Sequence, residues 1–138
     1  GPIEGSVLIL KTRLARVDLH LPDLPDDLRV MADTIRLEQV LVNLLQNALE
    51  ALEGVAAPTI RLSVALDAET VLLSVIDNGP GIDPSVQGQL FTPFVTSRPS
   101  GLGLGLVIAS DIMADMGGSL RLLPSEAGAH FQLSLKRA

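Results

Sequence analysis

Two carboxamides one helical turn apart, Asn43 and Asn47, stand upstream of three further patches: Asp77-Asn78-Gly79-Pro80-Gly81, Phe91-Thr92-Pro93-Phe94 and Gly101-Leu102-Gly103-Leu104-Gly105. Each has its own chemistry. Amide oxygens can join the shell of a hard cation that keeps several of its waters. Asp77 follows the apolar run Val71-Leu72-Leu73-Ser74-Val75-Ile76, so its carboxylate emerges beside a core, where it needs a donor. Gly79 lets the backbone approach a flat ligand, and Gly81 permits positive φ. The glycines at 101, 103 and 105 precede Leu106-Val107-Ile108-Ala109, where a helix starts. Backbone N–H groups freed there form an anion site.

Taken singly, every patch also has a plain structural reading. The Asn pair fits a solvated polar stripe, and Asp-Asn-Gly is a common turn after a strand. Phe91 and Phe94 fit core anchors at loop ends. The glycine run fits a flexible loop, although its alternating leucines would then be oddly exposed. It is not a Walker loop, since no Gly-Lys-Ser/Thr follows, nor the Gly-x-Gly-x-x-Gly dinucleotide fingerprint.

The elements that must carry these residues are legible from periodicity. On a wheel of ~100° per residue, Val40, Leu41, Leu44, Leu45, Ala48, Leu49 and Leu52 fill an apolar arc of roughly 200°. Asn47 falls at its seam and Asn43 one turn earlier on the same side. Asp33 is the expected N-cap of this helix, which runs to about Glu53 and is closed by Gly54, with Pro58 beyond. Upstream, Val7, Leu8, Leu10 and Leu14 give Ile3 to Ala15 the pattern of the end of a helix, and Val17 to Leu21 alternate as a half-buried strand that Pro22 and Pro25 end. Thr59 to Leu66 and Val71 to Ile76 form a hairpin around Asp67-Ala68-Glu69. Gly79 to Phe94 reads as loop with one helical turn, Gly103 to Met116 as a helix, and Ser119 to Leu123 and His130 to Lys136 as final strands. Helix, paired strands, helix, paired strands predicts an α+β fold: a mixed sheet with helices layered on one face.

In this order, the four patches resemble the N, G1, F and G2 boxes of the catalytic, ATP-binding domain of bacterial sensor histidine kinases, within the superfamily of gyrase, heat-shock chaperone and mismatch-repair ATPases. The resemblance runs from about Asp33 to Arg137. Thr96-Ser97-Arg98-Pro99 is similar to the Thr-Thr-Lys-Pro stretch of the sensors for nitrogen status and four-carbon dicarboxylates. The resemblance implies the two-layer α/β sandwich of the GHKL ATPases, the Bergerat fold, with ATP and Mg²⁺ as cofactors. It assigns a Mg²⁺ oxygen ligand to Asn47 and a phosphate or metal-bound water to Asn43. Asp77 would select adenine through its exocyclic amine, beside Gly79, Gly81 and Ile82. Gly101, Leu102, Gly103, Leu104, Gly105 and Leu106 would cradle the phosphates. The segment between Gly81 and Gly101 looks like a short ATP lid hinged by Phe91 and Phe94, with Thr96 and Ser97 on it. Arg98 would reach the γ-phosphate, a solvated lid charge being the plain alternative. Position 43 resembles the place of a glutamate general base in the gyrase-like hydrolases and the anti-sigma serine kinases, a role that asparagine cannot fill. Glu50 stands where many histidine kinases carry a basic phosphate contact, a departure from the pattern.

Composition narrows the field. A chain of 138 residues makes one domain, with 47% hydrophobic residues, no Trp or Tyr and three Phe, so aliphatic residues build the core. The net charge of -6 and scarcity of aromatics exclude a nucleic-acid partner. Zero cysteines fit a reducing compartment. No apolar run reaches the ~18 residues of a membrane span, so no direct membrane contact by this fragment is expected. The expected location is cytoplasmic, which leaves open a membrane-anchored parent. Gly1-Pro2 reads as the scar of a cleaved expression tag, and the chain as a fragment whose missing portion lies upstream. His20 and His130 lie outside any His-Glu/Asp helix signature and read as structural or surface residues. The expected function is therefore transfer of the ATP γ-phosphoryl to a histidine on a separate helical dimerisation and phosphoacceptor domain, with a response regulator downstream. The alternatives are a GHKL-type ATPase or serine kinase, and a degenerate nucleotide-binding scaffold.

Overall fold

The computed structural model describes residues 2–15, 17–22, 33–80, 105–124 and 128–137. Helix α1 (Pro2–Ile9) and the short α2 (Lys11–Leu14) replace the single helix expected there. Leu10 divides them, with φ −102° and ψ 14° in the bridge region. The break leaves both Leu10 and Leu14 buried, 6% and 5% exposed. Strand β1 (Asp18–His20) follows.

The longest helix, α3 (Thr34–Ala51), starts where its sequence demands. Asp33 Oδ1 accepts from the N–H groups of Ile35 at 2.9 Å and Arg36 at 3.1 Å, satisfying two donors that a helix start leaves orphaned. The predicted apolar arc is the core itself. Val40, Leu41 and Leu45 are 0% exposed, Leu44 1% and Ala48 2%. The helix ends two residues before Glu53 because its last turn tightens: the Leu52 N–H reaches Leu49 O at 3.2 Å and the Glu53 N–H reaches Glu50 O at 3.4 Å.

Strands β2 (Thr59–Leu66) and β3 (Thr70–Asp77) form the expected hairpin. Helix α4 (Gly105–Asp115) and strands β4 (Ser119–Leu123) and β5 (His130–Lys136) complete the described elements. The five-stranded sheet has the order β1-β2-β3-β5-β4. It is mixed: β1 runs parallel to β2, and the other neighbours are antiparallel. The observed architecture is the α+β arrangement that the order of elements implied. Alternation divides the two faces. Val71, Leu73 and Val75 of β3 are buried with Ile60, Leu62, Phe131, Leu133 and Leu135 of the neighbouring strands. Ser63, Ser74, Gln132 and Ser134 lie side by side on the opposite face. Asp77 has the parity of the buried set, and its strand partner is Ile60. α3 packs against both α1 and α4 and reaches β3. No helix among the described residues is long and apolar enough to cross a membrane.

Candidate nucleotide site

The parity of β3 turns the Asp77 side chain toward the helix layer, where it is 4% exposed. Its Oδ1 accepts from the Gly79 N–H at 2.9 Å and from the Ala129 N–H at 3.3 Å. The Asp77 N–H in turn donates to the Ala129 carbonyl at 3.1 Å. The donor that burial demands is thus supplied in part by backbone amides of the chain itself. Gly79 brings the turn against the C-terminal end of α3. A Cβ there would stand 2.8 Å from the Ala51 carbonyl oxygen and 3.1 Å from Asp77 Oδ1, so the approach requires glycine. Asn78 clips the same turn to the chain leaving α3: its Oδ1 accepts from the Thr59 N–H at 2.8 Å, and its Nδ2 donates to the Ala57 carbonyl at 2.8 Å.

A second contact joins the two helices. Asn43 Nδ2 donates to the Gly105 carbonyl at 3.4 Å, tying α3 to the first residue of α4. Arg36 and Asp115 pair at 3.0 Å at the other end of both helices. Asn47 is half-buried one turn beyond Asn43. Gly105 is exposed, with nothing within 4 Å of the place a Cβ would take, and the first turn of α4 holds no acidic residue. Among the described residues, no carboxylate in that turn competes for the positive end of the helix dipole. Among the described residues no three His, Cys, Asp or Glu side chains gather as a metal site. The neutral oxygens of Asn43 and Asn47 fit a hard cation that draws most of its shell from a ligand and water.

The model of the histidine kinase-, DNA gyrase B- and HSP90-like ATPases matches residues 32–138. The chain belongs to this ATPase family. It is 45% identical over 138 residues to the C4-dicarboxylate transport sensor protein DctB of Rhizobium meliloti (strain 1021), covering 99% of this chain and 22% of that protein. The catalytic domain of the histidine kinase ThkA is 30% identical with a TM-score of 0.84, covering 99% of this chain and 90% of that one. ThkA solved in complex with the response regulator protein TrrA superposes with a TM-score of 0.82, at 30% identity, covering 99% of this chain and 40% of that one. Full-length ShkA in complex with AMPPNP gives 0.78 at 30% identity, covering all of this chain and 30% of that one. The chain is the ATP-binding catalytic domain of a sensor histidine kinase, and it spans about a fifth of the length of the DctB relative.

Of the residues that sequence singles out in this kinase domain, Asn43, Asn47, Asp77, Gly79, Gly105 and Leu106 are described. The Asp77 turn meets the C-terminal end of α3, and Asn43 meets the start of α4. Leu106 packs against the core. Gly81, Ile82, Phe91, Phe94, Thr96, Ser97, Arg98, Gly101, Leu102, Gly103 and Leu104 lie outside the described residues, as does the proposed lid. Three residues escaped sequence reasoning. Asn78 was legible as a turn residue, but its partners at 57 and 59 were not. Gly128 and Ala129 lie about fifty residues from Asp77, and only the sheet brings them to it. His20 pairs with Asp18 at 3.1 Å. The His130 ring nitrogen lies 2.8 Å from Ser74 Oγ, and burial lowers its pKa. His20 is exposed and His130 half-buried.

Proposed function

We propose that this domain binds Mg-ATP across the Asp77 turn, α3 and the start of α4, and presents the γ-phosphoryl group to a histidine of a separate helical dimerisation and phosphoacceptor domain. A response regulator would receive the phosphoryl group downstream, and ADP would leave. One observation carries this reading: the carboxylate turn abuts the C-terminal end of the same helix that carries Asn43 and Asn47, and Asn43 bonds the first residue of α4. In this reading a base site and an anion site share one scaffold. AMPPNP in full-length ShkA and the response regulator bound to ThkA support both ends of the proposal.

In this reading Asp77 accepts the adenine amine, while Gly79, Gly81 and Ile82 flank the purine. Asn47 holds Mg²⁺ through its amide oxygen, and Asn43 contacts phosphate or a metal-bound water. Gly101, Leu102, Gly103, Leu104, Gly105 and Leu106 hold the phosphates through backbone N–H groups, Phe94 anchors the lid, and Thr96, Ser97 and Arg98 close over the γ-phosphate. Mg²⁺, when bound, neutralises phosphate charge. The chain itself contributes positioning and fixed dipoles, which suffice for phosphoryl transfer to a nucleophile that is already competent when neutral. Asn43 supplies no general base, which separates the domain from a hydrolase.

Incubation with γ-labelled ATP tests the proposal. Alone, the chain should bind ATP, hydrolyse it very slowly and acquire no label. With the cognate dimerisation domain added as a separate protein, that domain should acquire an acid-labile, base-stable label, at a rate limited by the lost tether and its effective concentration of order mM. Rapid turnover by the chain alone, or label on its own serines, would move it to the hydrolase or serine-kinase branch.

A further inference from the structure

We infer that Gly128 and Ala129, in the turn entering β5, are positioning residues that aim the Asp77 carboxylate and so set the preference for adenine. The inference rests on the reading of Asp77 as the base contact. Gly128 has φ +75°, a conformation that residues with a Cβ rarely adopt. A Cβ there would collide with the Asp77 carbonyl oxygen and stand 3.0 Å from Asp77 Oδ1. The turn has closed onto Asp77 as far as a backbone without a side chain can.

At that distance Ala129 and Asp77 exchange an unusual pair of hydrogen bonds. They extend the β3–β5 register, in which Ile76 faces His130. In an antiparallel pair that exchanges both bonds, each N–H serves the opposite carbonyl. Here the Asp77 N–H reaches the Ala129 carbonyl at 3.1 Å, but the Ala129 N–H is given to the side chain, to Oδ1 at 3.3 Å. Gly79 donates to that same oxygen at 2.9 Å. One oxygen is therefore bracketed by a donor two residues on and another from a different strand. Two donors at one oxygen fix both side-chain torsions of Asp77, and with them the direction of its second oxygen. Ala129 is 2% exposed, so water does not replace its bond.

The test uses the 138-residue chain. ATP, GTP and Mg-tripolyphosphate are titrated calorimetrically against wild type, Gly128→Ala, Gly117→Ala and Asp77→Asn. Gly117 has φ +77° with nothing within 4 Å of a Cβ, so alanine there imposes similar backbone strain without the approach to Asp77. Gly128→Ala should lose about tenfold or more in ATP affinity, the scale of one charged hydrogen bond, and keep its tripolyphosphate affinity. Its ATP:GTP ratio should fall toward that of Asp77→Asn, while Gly117→Ala keeps the wild-type ratio. A wild-type ratio in Gly128→Ala beside a lowered one in Asp77→Asn overturns this inference alone. So does an equal fall in Gly117→Ala. A wild-type ratio in Asp77→Asn overturns the underlying base assignment. Should Gly128→Ala not fold, amide spectra of wild type and Asp77→Asn decide. Loss of the charge should move the Ala129 and Gly79 amide protons upfield together, and an unmoved Ala129 proton refutes the bond.

Discussion

Replacing Asp77 by asparagine changes one atom at a buried polar position, 4% exposed. The backbone N–H groups of Gly79 and Ala129 converge on Oδ1 at 2.9 and 3.3 Å. Asparagine satisfies them only with its amide oxygen, because the reversed rotamer would aim NH₂ at two donors. The NH₂ group therefore takes the place of the second oxygen, where the adenine amine is proposed to bind. A charged acceptor is replaced by a donor. The loss of one charged hydrogen bond is worth about 1.5–3 kcal/mol, which is roughly ten- to a hundredfold in affinity. ATP and ADP should weaken by the same factor, because the phosphate end is untouched. GTP presents a carbonyl at the corresponding position of its ring and should weaken less or gain. Calorimetric titration of the three nucleotides reads these factors directly, and a thermal melt confirms that the isosteric variant folds. Equal losses for ATP and GTP would mean that Asp77 supports the turn without reading the base. Unchanged affinity for all three nucleotides would remove it from the site altogether.

Three further outcomes test the scaffold. Leu44→Ala empties a site that is 1% exposed on the buried face of α3 and should cost about 2–5 kcal/mol in denaturant unfolding, a large part of the ~5–15 kcal/mol typical of a domain. Asp33→Ala removes the acceptor for two N–H groups at the start of α3 and should cost about 1 kcal/mol; no change in the unfolding midpoint would deny the cap an energetic role. Burial holds the His130 imidazole below its ordinary pKa, so as pH falls below about 6.5 the unfolded chain takes up the proton first and folded stability is lost, while above that value nothing is lost. Relative to His130→Gln, wild type should lose stability as pH falls through and below about 6.5, and a pH-independent difference would refute the assignment.

The parts of this fold that local chemistry dictates were legible. α3 announces itself through an Asp cap and an apolar arc whose members all proved buried. The β2–β3 hairpin is set by Asp67, whose carboxylate accepts from the Glu69 N–H at 3.1 Å within the turn. Asp77 was legible because an apolar strand that ends in a carboxylate raises the question of a donor. The answer was not legible, since Ala129 comes from another strand and contributes only its backbone, which no residue type advertises. The break at Leu10 was hidden for a similar reason. Val7, Leu8, Leu10 and Leu14 satisfy one helical pattern, and it is packing of both Leu10 and Leu14 into the core that divides it.

The two ends of the proposed site are held by different physics. At the base end, Asp77 is 4% exposed and accepts backbone bonds from Gly79 in its own turn and from Ala129 across the sheet, with the exposed Asn78 adding two side-chain bonds to residues 57 and 59. The Asp77–Ala129 bond is buried and resists adjustment, because breaking it leaves an unsatisfied group. At the phosphate end, α4 is anchored through Ala109 and Met113, both 0% exposed. Its first residue is exposed and, among the described residues, bonded to α3 at 3.4 Å by Asn43. The Arg36–Asp115 pair joins side chains 42% and 70% exposed, an ion pair worth ~0–1 kcal/mol. In the proposed site, a base end held by a buried bond beside an exposed helix start suits phosphoryl transfer, where the nucleoside must stay fixed while charge moves on the phosphates.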